Sequence, residues 1–380
     1  MFGSNPEAIF HFHSNLLLDR ARTETLHRAI ADAVRPGDVV LDLGSGTGIL
    51  SFFACEAGAR RVYAVESGDV AELSKLLCVA NGLQDRIVVL NHSSYNVVLP
   101  EKVDAIITDT FHTFGLQDGL LGSIIDARRR LLKTDGTIVP RSIELFVALV
   151  ELPDVYRRFD VWTAAQYGFD FSPGREFATN NLYSIPVEAD VFQKAWLGPP
   201  GSLIHIRLSD VETSNVGGQA TLTTTRSGVM HGLGGWFAAE LGDGNVLSNS
   251  PDIRTVSWKY AFFPLDRPMM LGVGESISVR IDTCDGATWR WEVERAGGSA
   301  RQRTTFRGFP WSAEGFHKLS PGYAPKRTPI GDAELFVLGL LDGHRMITDL
   351  EEELRRRYPE QFSTPESAAS FVQDIAWRCS

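Results

Sequence analysis

Apolar residues take two textures along this chain. Up to about residue 140, short unbroken apolar runs alternate with stretches of helical periodicity. The runs at 39–43, 61–65, 86–91, 103–108 and 137–139 read as strands, and the stretches at 48–57, 69–81 and 119–132 as helices. Such alternation predicts a parallel sheet with helices on its faces. A helical pattern from Ile9 to Val34 precedes it, and Lys133-Thr134-Asp135-Gly136 reads as a turn closing the last helix.

From about Ser142 apolar and polar residues alternate. Segments such as 143–150, 220–225, 229–240, 255–263, 276–281 and 287–293 read as short strands between Gly, Asp, Asn and Pro turns. This spacing predicts an antiparallel barrel or sandwich. The stretch from Phe159 to Trp196 breaks the pattern with mixed polar and aromatic residues, and it is too long for a simple connection. It reads as an interaction arm. A Pro-rich basic linker, 321–329, leads to a helical tail with apolar positions at Leu335, Leu338, Leu341, Leu350, Leu354, Phe371 and Ile375.

The expected organisation is therefore a segment 1–35 of N-terminal helices, an α/β unit 36–141, a β unit 142–320 carrying the arm 159–196, and a helical unit 331–380. With 43% hydrophobic and 22% charged residues, the chain has the composition of a soluble globular protein. It holds no apolar run of about 18 residues, so no membrane span is expected. The first residues lack a basic region before an apolar core, so no signal peptide is expected either. Cys55, Cys78, Cys284 and Cys379 are scattered, without metal-ligand spacing or a disulfide framework, which predicts a cytoplasmic protein without a metal. A net charge of −10 disfavours nucleic acid as a partner. Arg128-Arg129-Arg130 and Arg355-Arg356-Arg357 have acids nearby and read as solvated helix faces.

Candidate chemistry lies at the first strand. Asp42-Leu43-Gly44-Ser45-Gly46-Thr47-Gly48 joins strand to helix, and Glu66 ends the second strand. Glycines at alternate positions let backbone approach a bulky ligand, and an acid at the second strand tip suits a ribose diol. A dinucleotide fingerprint would read G-x-G-x-x-G; here it reads G-x-G-x-G behind Asp42. That carboxylate would repel a pyrophosphate but suits an ammonium. S-adenosylmethionine offers an ammonium, a sulfonium and a ribose, and it is the expected cofactor, with NAD the rival.

From about His11 to Val293 the chain resembles the protein arginine methyltransferases. Asp42 to Ser51 resembles that family's first cofactor motif, with Gly44, Gly46 and Gly48 in the loop, and Glu66 matches its ribose-binding acid. His13, Leu17, Asp19 and Arg22 match an N-terminal helix motif over the cofactor, whose arginine binds the methionine carboxylate in the family. Trp162 and Tyr167-Gly168-Phe169-Asp170 resemble the start of the dimerisation arm, implying a homodimer. Ser248-Asn249-Ser250-Pro251 and Trp258-Lys259 resemble a barrel segment that reaches the active site. The implied fold is a Rossmann-like domain, an antiparallel β-barrel with its arm, and a small helical C-terminal tail.

The departures fall at the acceptor site. Where the family grips a guanidinium between two glutamates, the loop after the fourth strand carries Asp109 and Asp118. Each is one methylene shorter, displacing the grip by about 1–1.5 Å, and a misplacement of that order can cost about a hundredfold in rate. The family's Thr-His-Trp reads Val256-Ser257-Trp258, so the barrel histidine is absent, while His112 enters the acceptor loop as a candidate base. Tyr95 stands where the family has an acid on the adenine side; Ser94 beside it and Asp109 complete the residues expected to border the cofactor.

Two acids at the site favour a cationic nitrogen acceptor over a phenolate or carboxylate. The expected activity is N-methylation of an amine, a guanidine metabolite, a free amino acid or one residue of a natural-product peptide, rather than of arginine in a histone-like tail. The alternatives are a protein arginine methyltransferase proper and a non-catalytic cofactor-binding scaffold. Leu340-Leu341-Asp342-Gly343 and the helices after it are also weakly similar to small domains that present precursor peptides to modifying enzymes. A plain helical cap is the alternative there.

Overall fold

A computed structural model describes residues 6–116, 119–163, 165–253, 258–318, 322–324 and 326–379. They form two compact units, Met1–Pro310 and Trp311–Ser380. Among the described residues no helix is long and apolar enough to cross a membrane.

The first unit opens with α1 (Pro6–Leu18) and α2 (Arg20–Ala33). The helical pattern expected over 9–34 divides into these two helices at Asp19, whose carboxylate accepts the amide of Arg22 at 3.2 Å. An aspartate in this position caps a new helix rather than continuing the old one. The α/β unit follows as β1 (Val39–Leu43), α3 (Ile49–Glu56), β2 (Arg61–Val65), α4 (Val70–Ala80), β3 (Ile87–Leu90), β4 (Val103–Ile107), α5 (Leu120–Arg130) and β5 (Leu132–Val139). The strands lie parallel in the order β3-β2-β1-β4-β5. This is a doubly wound sheet, with its order reversing beside β1. Val39 to Leu43 are all buried, which is why the run reads as unbroken apolar sequence around Asp42.

Residues 133–136 are not the expected turn. They belong to β5, whose register on β4 shifts between Val103 and Ala105, so the extra residues bulge out of an extended strand. Of the expected solvated face at 128–130, Arg129 and Arg130 are exposed, but Arg128 is not. Arg128 is largely buried and donates to the carbonyls of Leu208 (2.7 Å) and Val211 (2.6 Å), while Arg130 donates to those of Val97 (2.8 Å) and Ser94 (2.9 Å). These arginines staple α5 to its surroundings.

Beyond β5 come β6 (Ser142–Val150), α6 (Pro153–Tyr156), the hairpin β7 (Ala165–Gln166) and β8 (Phe169–Asp170), α7 (Gly174–Ala178), β9 (Tyr183–Ile185), α8 (Ala189–Lys194), β10 (Gly201–Arg207) and β11 (Asn215–Thr223). Then follow β12 (Gly228–Gly242), β13 (Asn245–Ser248), β14 (Tyr260–Leu271), β15 (Ser276–Cys284), β16 (Thr288–Arg295) and β17 (Arg301–Thr304). One antiparallel sheet runs β10-β6-β12-β14-β9 with β13 on β12, and the other β11-β15-β16-β17. Leu203, Leu222, Phe263, Ile281 and Trp291 belong to one buried cluster that continues into the α/β unit.

The arm is only partly an outward surface. Phe192 is fully buried and stacks on Tyr260 at 3.9 Å, and Tyr183 packs against Phe159. The exposed aromatics gather at the hairpin tip, with Tyr167 97% and Phe169 70% exposed.

The second unit holds α9 (Ala313–Lys318), α10 (Pro329–Leu340), α11 (Ile347–Arg357) and α12 (Pro365–Cys379). Its core is Ala333, Val337, Leu350, Leu354, Phe362, Ala368, Val372 and Ile375. Of the apolar positions in the helical pattern, Leu350, Leu354 and Ile375 are buried, while Leu335, Leu338 and Leu341 are exposed. Helix α10 is apolar almost all round, so its sequence does not reveal which stripe is buried. Arg356 and Arg357 are exposed, as a solvated face requires.

Candidate active site

The C-terminal ends of β1, β2 and β4 meet at one crevice, where an open α/β sheet places its ligands. After β1 the chain turns back through Gly44, Gly46 and Gly48, all with positive φ (75°, 53° and 87°). At all three a Cβ would also crowd a neighbouring side chain, most severely at Gly44. A Cβ at Gly44 would lie 2.2 Å from Thr110 Cγ2, and one at Gly46 would lie 3.1 Å from the His13 ring. His13 of α1 therefore sits directly over the loop; burial holds its pKa below the ordinary value, against the opposing charge of Glu66.

Glu66 closes the loop from the far side. Its two carboxylate oxygens accept the amides of Gly46 at 2.9 Å and Gly68 at 2.7 Å. Each oxygen keeps a further lone pair, so the carboxylate retains capacity for hydroxyl donors.

Asp42 lies fully buried inside β1, between Ala64 of β2 and Ile107 of β4. Ser51 Oγ donates to its Oδ2 at 2.6 Å, while Oδ1 is buried without a hydrogen-bond partner among the described residues. Burial pushes its pKa up to about 7. The folded value lies above the usual carboxylate value of 3.8, so the folded state holds this proton more tightly. The stability it contributes is present at acid pH and lost as pH rises toward 7. Asp42→Asn should therefore melt at a higher temperature than wild type at pH 8, with the gap closing toward pH 4. Melting curves that stay parallel across that range would refute the assignment.

Asp109 follows β4. Its carboxylate pairs directly with the Arg22 guanidinium of α2. Arg22 also donates to Leu16 O at 3.1 Å, and its Cζ lies 5.9 Å from the centre of the Trp258 ring. Burial lowers the Arg22 pKa to about 10, which leaves it charged at neutral pH. Its Nε is buried without a hydrogen-bond partner among the described residues. An unmet donor here and an unmet acceptor on Asp42 suit a ligand with both a carboxylate and an ammonium.

The loop after Asp109 is pinned on both sides. Thr108 Oγ1 donates to Leu43 O at 2.8 Å and contacts Thr110 Oγ1 at 3.0 Å. From the β unit, Trp258 Nε1 donates to Phe111 O at 3.3 Å. Asn249 Nδ2 donates to Thr113 O at 2.9 Å, and Thr113 Oγ1 donates to Ser184 Oγ at 3.0 Å. Phe111 stacks on Phe237 and Phe114 is fully buried, so the loop has little freedom. His112 points outward from this frame. The protein around its ring holds its pKa below the ordinary histidine value, leaving it neutral at pH 7.

Behind Gly44 a pocket of about 190 Å³ is lined by Val65, Ser94, Tyr95, Thr110, Leu120 and Ser123 among others. The crevice thus brings together His13, Arg22, Asp42, Gly44, Gly46, Gly48, Glu66, Ser94, Asp109 and the loop bearing His112. Asp118 lies outside the described residues, as do Val256 and Ser257. The threonines at 108 and 110 were missed in the sequence because single hydroxyls in a loop carry no pattern.

Residues 21–139 match the family described as ribosomal protein L11 methyltransferase (PrmA), and residues 141–293 match the arginine methyltransferase oligomerization subdomain. The probable protein arginine N-methyltransferase 6 of Arabidopsis thaliana is 36% identical over 234 residues, covering 60% of this chain and 54% of that protein. The match therefore spans about half the length of that relative. An arginine N(omega)-methyltransferase of Streptomyces achromogenes subsp. streptozoticus is 31% identical over 279 residues, covering 72% of this chain and 76% of that protein. Among solved structures, the Trypanosoma brucei PRMT1 enzyme–prozyme heterotetrameric complex with AdoHcy has a similar fold. Its TM-score is 0.69 at 24% identity, covering 77% of this chain and 96% of that one.

Proposed function

Because the chain belongs to the protein arginine methyltransferase family, we propose that it is an S-adenosylmethionine-dependent N-methyltransferase whose acceptor is a guanidinium on free arginine or a short peptide. One observation carries this reading: Asp109, at the head of the acceptor loop, already holds a guanidinium, that of Arg22. An acid able to take one guanidinium from the side is placed and charged to take another. The Streptomyces relative, named for arginine rather than for protein arginine, points the same way.

The residues present fit the cofactor. Arg22 would hold its carboxylate and Asp42 its ammonium, where an orphaned donor and acceptor wait. Glu66 would take the ribose hydroxyls, and the pocket beside Ser94 and Tyr95 the adenine. When bound, S-adenosylmethionine supplies an electrophilic methyl group on a sulfonium.

The chain's own residues do the rest. Arg22 has five N–H donors, so a second carboxylate can share its guanidinium and leave an Asp109 oxygen for the acceptor. A carboxylate against one edge of a guanidinium draws charge toward that edge and leaves the far nitrogen more nucleophilic. The methylated nitrogen sheds a proton, for which Asp109 and the neutral His112 are the candidate acceptors. Phe111, Trp258 and Phe237 wall the loop and limit water.

The reading is tested by labelled-methyl transfer to free arginine, short arginine peptides, a histone-tail peptide and a primary amine. Transfer to the first two is expected, with the tail peptide poor. Methylation of the amine with no guanidine accepted would reject the acceptor assignment. Efficient methylation of the tail peptide would show that the shortened carboxylates do not limit the site.

We also propose a homodimer through the tip of the arm. Val161, Tyr167, Phe169 and Phe171 expose 40–97% of their surface on one short hairpin region, more apolar area than a solvated loop favours. Sedimentation at micromolar concentration should give the dimer mass, and Phe169→Glu should shift it toward monomer. A wild type that sediments only as monomer would contradict this.

A further inference from the structure

The β unit reaches the cofactor side at a second place, which its sequence marks only as an Asp-Gly turn. Between β15 and β16, Asp285 adopts a left-handed conformation with φ 49°. Its amide donates to Ser214 O at 3.0 Å, holding it to the β unit. Facing the other way, its carbonyl accepts from the Gly119 amide at 2.9 Å, and its Oδ1 accepts from the Gly122 amide at 3.2 Å. Those amides belong to the first turn of α5, an eleven-residue helix whose own N-cap, Gly119, offers no side chain. A helix start leaves donors unsatisfied, and a carboxylate there is favoured by both hydrogen bonding and the helix dipole. Here the cap comes from another part of the chain.

The junction has no slack. A Cβ at Gly122 would lie 2.5 Å from the Tyr95 hydroxyl and 2.6 Å from Asp285 Oδ2. Tyr95 and the same first turn of α5, through Gly119, Leu120 and Ser123, line the pocket behind Gly44. Gly119 is also where the acceptor loop joins the helix.

We infer that Asp285 is a positioning residue of the cofactor pocket: it fixes the first turn of α5 and, through it, the wall that meets the adenosine. The inference rests on the reading that this pocket takes the adenosine end of the cofactor. A change in a β-unit hairpin should then alter cofactor affinity without touching any residue of the glycine loop.

The test is calorimetry with S-adenosylhomocysteine and with 5′-methylthioadenosine, which lacks the amino-acid end, on wild type, Asp285→Gly and Asp285→Asn. Glycine keeps the left-handed turn and removes the carboxylate. Asparagine keeps both the turn and an acceptor oxygen. Asp285→Gly should weaken both ligands by the same factor, roughly three- to tenfold, as loss of a helix cap implies, while Asp285→Asn stays within about twofold of wild type. A merely structural residue would lower the melting temperature of Asp285→Gly and leave the affinity of the folded protein unchanged, and that result overturns the inference. A wild type that binds neither ligand would instead reject the pocket reading on which the inference stands.

Discussion

Replacing Asp109 with asparagine is expected to cut methyl transfer by about 10²–10⁴-fold, the range for loss of a positioned proton acceptor or charge-stabilising group. Asparagine keeps the shape of the side chain and one acceptor oxygen. It loses the charge that holds a guanidinium and the basicity that takes its proton. The pinning of the loop by Thr108, Trp258 and Asn249 does not involve the Asp109 side chain, so the loop should hold its place. Arg22 loses one charged partner but keeps its contacts with Leu16 and Trp258, so affinity for S-adenosylhomocysteine should fall far less than transfer does. The measurement is transfer rate and product affinity on the same preparation. Undiminished transfer would remove Asp109 from the site, and a parallel loss of affinity would make it a cofactor residue instead.

Arg22→Met should produce the largest effect on cofactor binding. Arg22 is buried between Asp109, Leu16 and Trp258, so its guanidinium is held in one place by the protein before any ligand arrives. A lost hydrogen-bonding partner to a charged group costs about 1.5–3 kcal/mol, or roughly ten- to hundredfold in affinity. Lysine should rescue little, because a single ammonium cannot share two carboxylates as a planar fork does. Calorimetry with S-adenosylhomocysteine checks this. An unchanged dissociation constant would place the methionine carboxylate elsewhere.

Much of the fold was legible because local and global signals agree. The strand at 39–43, its glycine turn and Glu66 form one βαβ unit, and their order in sequence is their order around the crevice. The alternating segments that became β15 and β16 have one buried face each, whereas β6 and β12 are buried on both. What escaped depended on partners distant in sequence. Arg128 and Arg130 read as surface charges, yet their guanidinium groups meet carbonyls that arrive 33 to 83 residues away. Phe192 lies in the stretch that reads as an interaction arm, yet Tyr260 comes from β14 to stack on it. The bulge at 133–136 contains a good turn sequence, and β5 pairs with β4 on either side of it, at Leu132 and from Thr137 on.

The site divides the same way. Asp42, Glu66 and the three glycines could be read from their spacing alone. Arg22 and His13 needed the family resemblance, since nothing in α1 or α2 points at a loop more than twenty residues on. The pairing of Arg22 with Asp109, the clamp of Asn249 on Thr113 and the cap supplied by Asp285 became visible only once the two parts of the first unit were packed together.

The most direct test of the central claim is a crystal structure with S-adenosylhomocysteine and free arginine bound together. The account predicts the cofactor carboxylate on Arg22, the ribose on Glu66, and the arginine guanidinium against Asp109 with a nitrogen facing the sulfur. An Arg22 that makes no contact with the cofactor carboxylate, or an arginine bound away from Asp109, would contradict it.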